Sequence, residues 1–191
     1  ITGLHARRHE AELKLRADVM GTADGLSKYP YIREARRIRA LKTVVEGEIA
    51  AKENPGARAV FLPDSVGIGL YGIDLHACAG GQPQVILGTK PFQVPLGALV
   101  PIRVENLLAA AKNIGTTHIT NGAYRLHPVE WNIGEAAAIT ASYCLSEGIL
   151  PRAVATSEER QRRLQRLLVA CGVPLYWYVD VPPSHPTFAV S

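Results

Sequence analysis

From Pro128 to Glu147 the chain reads PVEWNIGEAAAITASYCLSE, an uninterrupted stretch dominated by small residues. Proline is well placed as the first residue of a helix, and Gly148 is a natural stop. The helix that this pattern predicts carries too few bulky side chains to stand far from a neighbour. Just upstream, NLLAAA (Asn106–Ala111) is a compact apolar run of buried-strand length. A strand followed by a small-faced helix constrains the chain to a packed layer of strand and helix.

The remaining sequence surrounds that unit with shorter elements. Residues 4–20 read as a helix, with Glu10–Lys14 and Glu12–Arg16 as acid-first pairs four apart. Gly21, Asp24 and Gly25 break it. Thr43 with Glu46 has the form of a capping box for a short helix ending before Asn54-Pro55-Gly56. From Val60 to Val104, VFL, GIDLHA, QVIL and FQVPLGALVPIRV are strand-like, and frequent Gly and Pro imply short antiparallel strands. The segment between Lys112 and Pro128, rich in Gly, Thr and Asn, reads as a loop. Thr156 with Glu159 forms a second capping box, opening a helix that stripes Leu164, Leu167, Leu168 and Cys171 along one side. The expected fold class is α/β, in its mixed α+β form.

Composition narrows the setting. The chain has 191 residues, 47% hydrophobic and 20% charged, enough for one cored domain or parts of two. No apolar run approaches the roughly 20 residues that cross a bilayer. The charged start is no secretory signal, so the expectation is a soluble, cytoplasmic chain without a membrane partner. It begins with Ile rather than Met, which reads as processing or as an excerpt of a longer protein. Cys78, Cys144 and Cys171 lack metal or disulfide spacing and read as reduced, partly buried thiols, with no metal site. A net charge of +4 leaves anionic ligands open without requiring nucleic acid.

One motif invites a wrong reading. Gly67-Ile-Gly-Leu-Tyr-Gly72 fits G-x-G-x-x-G, but a dinucleotide fingerprint needs a strand before it and a helix opening inside it. Here Ile73, Leu75 and Ala77 alternate with strand period, and no acidic residue stands about 20 positions on. The chain is therefore expected to lack its own pyrophosphate-binding turn.

Three blocks together carry a family likeness: PYIREARRI (Pro30–Ile38), VPLGALVPIRVENLLAAAKNIGTTH (Val94–His118) and NGAYRLHPVEWNIGEAAAITA (Asn121–Ala141). In order and spacing they resemble FAD-dependent oxidoreductases of the succinate dehydrogenase/fumarate reductase-like superfamily. The resemblance implies the carboxyl-terminal part of a two-domain flavoprotein. Residues 1–105 would end the inserted substrate or cap domain. Residues 106–150 would be the late strand and returning helix of the FAD domain, and 151–191 a helical extension with an aromatic, proline-rich tail. FAD would belong to the full-length parent, and the partner would be a missing amino-terminal FAD-binding half. Ala111-Lys112 stand where the family usually reads Gly-Arg, and Ala138 where Gly is frequent.

Several residues are candidates for chemistry. A helix amino terminus offers free amides and partial positive charge to a flavin pyrimidine that gains negative charge. On that reading Lys112, Arg125, Gly134, Glu135 and Ala136 are cofactor-binding, Arg125 by its guanidinium and Gly134–Ala136 by small side chains at the helix start. Tight packing of the helix on a sheet explains the small residues equally well. His118 matches a position near the flavin face in similar proteins, and imidazoles suit proton transfer near neutral pH; a hydrogen-bonded loop histidine is the plainer account. Asp74 and His76, two apart on a strand, share a face and form an acid/base pair or a solvated polar pair. Arg33, Arg36, Arg37 and Arg39 read as an interdomain ion-pair cluster. The arginines of 158–171 read as a solvated face, and the tail from Leu175 has no assigned role.

The expected function is that of a fragment of an FAD-dependent oxidoreductase, moving a hydride between flavin and a small organic substrate, with His118 and His76 as catalytic candidates. The isolated chain would be inactive. The alternative is a non-enzymatic binding module derived from a flavoprotein.

Overall fold

A computed structural model describes residues 14–29, 33, 36–77, 81 and 83–177, and the chain divides into two compact units, 1–32 and 33–191. Of the first unit's helix expected over 4–20, residues 4–13 lie outside the described residues. Its described end is a single turn, α1 (Ala17–Met20), which Gly21 closes at φ 63°. Gly21 suits that left-handed position because it carries no Cβ.

The second unit is a mixed α/β fold with two short antiparallel ladders, in keeping with the expected class. Strand β1 (Ser65–Gly69) pairs with β4 (Phe92–Pro95), with an irregularity between Ser65 and Gly67. Strand β2 (Ile73–Leu75) pairs with β3 (Val85–Leu87) in the register Ile73–Leu87, Asp74–Ile86, Leu75–Val85. Ile73 and Leu75 are buried while Asp74 between them is not, as a strand with one buried face requires. The helices are α2 (Glu46–Ile49), α3 (Leu96–Leu99), α4 (His118–Tyr124), α5 (His127–Glu147), α6 (Pro151–Ala155) and α7 (Glu158–Ala170).

Several expectations need correction. VFL (60–62) makes no ladder, because Val60 donates to the Glu48 carbonyl and Leu62 to the side-chain oxygen of Gln93. NLLAAA is not a strand: the described backbone bond there is Ala109 N–H to Leu99 O, an isolated contact without a pairing partner. The Gly-Thr-Asn loop contains α4, because Thr117 accepts from the Thr120 amide while Thr120 Oγ1 accepts from the Thr117 amide, each at about 3 Å. The other boxes shift by a residue or two. Glu48, not Glu46, reaches back to the Val45 amide at 2.9 Å. Thr156 lies beyond α6 and donates to the Arg152 carbonyl, leaving Ser157 to cap α7.

Helix α5 begins at His127, has Pro128 in its first turn, and ends where Gly148 turns left-handed at φ 64°. It lies across β1, and the close approach depends on glycine. A Cβ on Gly67 would sit 2.3 Å from Asn132 Oδ1, and one on Gly69 would sit 2.3 Å from the Phe92 ring. Both glycines are in a strand and no helix opens there, so the G-x-G pattern marks helix-on-strand packing. Asn132 Oδ1 accepts from the Ile68 amide at 2.7 Å across that contact.

The core continues from Val66, Phe92 and Val94 through Tyr124, Ile133 and Ala136 to Leu164 and Leu168. The Tyr124 and Phe92 ring centroids are 4.5 Å apart, and Tyr124 Oη donates to the Gln93 carbonyl. Burial pushes the Tyr124 phenol well above its ordinary range, so it stays a neutral donor. On α7 only Leu164 and Leu168 of the expected stripe are buried. Leu167 and Cys171 are exposed, while Glu158–Arg162 and Glu159–Arg163 pair on the solvated side.

The segment after α7 is anchored. Ser65 Oγ and Gln93 Nε2 both donate to the Leu175 carbonyl, Tyr176 stacks on Phe61 at 5.7 Å, and Trp177 Nε1 donates to the Phe92 carbonyl. Gln93, buried, thus serves two chain segments. Gln93→Leu is expected to lower stability by about 2 kcal/mol, because the Leu62 amide loses its buried acceptor. A urea midpoint unchanged from the parent would overturn that assignment.

Candidate functional site

The first turns of α5 gather most of the chemistry. Leu126 precedes the helix and supplies no side-chain cap, so the amides of the first turn are not satisfied by a side chain from that position. Lys112 reaches this turn, its Nζ 3.9 Å from Glu130 Oε1. Its backbone carbonyl is fixed by Asn121 Nδ2 at 2.7 Å. Arg125, two residues before the helix, is buried, and its Nη2 donates to the Asp74 carbonyl of β2 at 2.8 Å. Gly122 of α4 packs on the same strand, where an added Cβ would lie 3.0 Å from the Asp74 nitrogen.

Gly134, Glu135 and Ala136 are not at the helix start. They lie about two turns in, past the first four amides that a helix leaves unpaired. Nor do they share a surface, since successive helical residues are about 100° apart. Gly134 backs onto the Ala110 carbonyl, at 3.4 Å from an added Cβ. Glu135 is exposed, and Ala136 is wholly buried in the core.

Two concavities flank α5. One, of about 460 Å³, lies between the end of β1 and the first turns of the helix, with Tyr71, Trp131, Asn132, Glu135 and Trp177 among its lining residues. The other, of about 420 Å³, lies between residues 106–110 and the small face formed by Gly134, Ala137, Ala138 and Ala141. The sequence did not single out Trp131, Asn132 or Trp177. The available signal was one amide-bearing residue inside a helix of small and apolar side chains.

The catalytic candidates are placed separately. His118 is the first residue of α4 and is exposed. His76 follows β2, with Nε2 3.6 Å from Asp74 Oδ2, so these two side chains share a face as their spacing implied. Burial raises the Cys144 thiol above its usual range, and Cys171 is exposed. Of the basic cluster, Arg33, Arg36 and Arg39 are exposed and Arg37 is half-buried. Among the described residues, no group of three or more His, Cys, Asp or Glu side chains gathers as a metal would require.

Residues 7–168 match the family described as FAD dependent oxidoreductase. The chain belongs to that family. Searches among curated proteins and among solved structures returned no match. Membership in the FAD dependent oxidoreductase family ties the chain to flavin-linked redox function, and FAD is the cofactor that the family implies. Among the described residues no helix is long and apolar enough to cross a membrane.

Proposed function

We propose that this chain is the carboxyl-terminal portion of an FAD-dependent oxidoreductase of the succinate dehydrogenase/fumarate reductase-like type. The family match over residues 7–168 carries the flavin-linked part of that reading, and the three blocks of family likeness in the sequence support the rest. Flavin, when bound, accepts a hydride from an organic substrate or returns one. In this chain the first turn of α5, uncapped by the Leu126 side chain, would offer amides to negative charge on the bound flavin. Lys112 adds a cation beside that turn, its Nζ 3.9 Å from Glu130 Oε1. Arg125 is a positioning residue: through the Asp74 carbonyl it locks β2 to the corner between α4 and α5.

Gly134, Glu135 and Ala136 divide their roles. Gly134 allows residues 106–110 to approach α5, Ala136 fills the core, and Glu135 stands at the rim of the larger cleft. His118 and His76 are proton-transfer groups toward the substrate, both exposed on elements that join at β2 and α4. The missing partner is an amino-terminal FAD-binding half. That half also supplies the pyrophosphate turn, since Gly67 and Gly69 are committed to packing α5.

The test is the visible spectrum of the purified chain, alone and joined to its upstream reading frame. The chain alone is expected to show no stoichiometric flavin absorbance, and the extended protein to show it. Stoichiometric flavin on the chain alone would overturn the fragment reading; none on either would overturn the flavin role.

A further inference from the structure

Helix α7 and residues 174–177 are fixed by separate sets of contacts. The helix buries Leu164 and Leu168, and Gln165 Nε2 donates to the Pro63 and Ser65 carbonyls at 2.8 and 3.0 Å. Its end is closed by Gly172 at φ 84° and by the Val173 amide, which donates to the Leu168 carbonyl. Beyond that bond, residues 174–177 make no backbone–backbone hydrogen bond among the described residues. Their bonds run through side chains instead. Ser65 Oγ and Gln93 Nε2 donate to the Leu175 carbonyl, Tyr176 stacks on Phe61, and the Trp177 indole donates to the Phe92 carbonyl.

Little is stranded when this segment lifts. Ser65 Oγ carries one hydrogen and has a second acceptor, the Gly67 carbonyl at 3.0 Å, so it keeps a bond without Leu175. The aromatic stack lies at the surface, with Phe61 50% and Tyr176 38% exposed. Of residues 174–177 only Leu175 is buried. Few buried apolar contacts and no backbone ladder are the marks of a segment that opens well below the free energy of global unfolding. We propose that residues 174–177 are a strap, hinged after Val173, that opens as a unit while α7 stays docked, in on the order of 0.1–10% of molecules. Pro174 and Trp177 are walls of the cleft of about 460 Å³ beside α5, so opening removes that side of the cleft. What this does for catalysis rests on the function proposed above: the cleft borders Leu126 and Pro128 at the start of α5, and release of the strap clears the approach to that turn.

The purified chain, without flavin, tests the strap by itself. The readout is hydrogen exchange followed by magnetic resonance, each site scaled to its intrinsic rate. The Trp177 indole N–H is expected to exchange about a hundredfold or more faster than the Leu164 and Leu168 amides of α7. It is expected to stay slower than the indole of Trp131, which is 72% exposed and marks the open rate. Tyr176→Ala removes the surface stack and is expected to speed the Trp177 indole about tenfold, with both α7 amides within about twofold of the parent. Phe61→Ala removes the other ring, from outside the strap, and is expected to do the same. Protection of the Trp177 indole equal to that of the α7 amides, or no protection beyond that of Trp131, would overturn the proposal. So would a rise shared by indole and α7 amides, or no rise in either variant. Because no flavin is present, these outcomes leave the spectral test of the proposed function untouched, and that test leaves the strap untouched.

Discussion

Gly115→Ala is expected to destabilise the second unit by about 3 kcal/mol, lowering its melting temperature by roughly 6–12 °C. The cause is space, since Gly115 has no positive φ. A methyl at this position would lie 2.3 Å from the Lys42 carbonyl oxygen and 2.5 Å from Ala40 Cβ. A flexible side chain would yield to such a contact, but a backbone carbonyl does not. The same residue joins two segments: its amide donates to the Ala98 carbonyl at 2.8 Å, and its carbonyl accepts from Val44 at 2.9 Å. Moving Gly115 away therefore breaks the bonds that hold the entry to α2 against the turn of α3. Gly47, exposed on α2 with nothing within 4 Å of an added Cβ, is the control. Gly47→Ala is expected to be neutral or to stabilise by about 0.5–1 kcal/mol, through helix propensity alone. Calorimetry of the two variants checks the pair, and equal melting temperatures would refute the steric argument.

The elements legible in the sequence are those whose signals are local. Helix α5 was legible because Pro128 and Gly148 mark its ends, whatever it packs on. Strands β2, β3 and β4 were legible from alternation and from the Gly and Pro between them. NLLAAA misled because an apolar run announces burial, whereas a strand requires a partner, and here Ala109 finds only Leu99. Helix α4 was hidden because Thr117, Thr120 and Gly122 look like loop residues, yet the threonines cap the helix and the glycine lets it touch β2. Three of the five cofactor candidates form a consecutive triplet, Gly134 to Ala136. Helical geometry spreads such a triplet over three directions, toward Ala110, the cleft and the core. Asn132 was overlooked because its meaning depends on Ile68, 64 residues away in the chain. The tail had no reading for the same reason, since Leu175 and Trp177 act through β1 and β4.

Phe92→Ala is expected to cost about 3–5 kcal/mol, and its coupling to Gly69 decides what the glycine motif is for. Phe92 is 1% exposed, with Tyr124 4.5 Å away centroid to centroid and Gly69 as its cross-strand partner. Gly69→Ala alone would press a methyl to 2.3 Å from Phe92 Cε2 and 3.0 Å from Val129 Cγ2. Overpacking of that kind costs about 1–3 kcal/mol. In the double variant, removal of the ring opens the space that the methyl needs, so the methyl fills part of the cavity. The two costs are then non-additive, and Gly69→Ala/Phe92→Ala is expected to be more stable than the sum of the single effects by about 1–2 kcal/mol. A nucleotide-binding glycine would behave otherwise: its replacement would weaken ligand binding and add independently to the loss of Phe92. Urea denaturation of the four proteins in the cycle, without ligand, measures the coupling directly. Strict additivity would remove the packing explanation for Gly69 and reopen the motif to other readings. Positive coupling fixes the role of Gly69 as the space that the Phe92 ring of β4 occupies against β1.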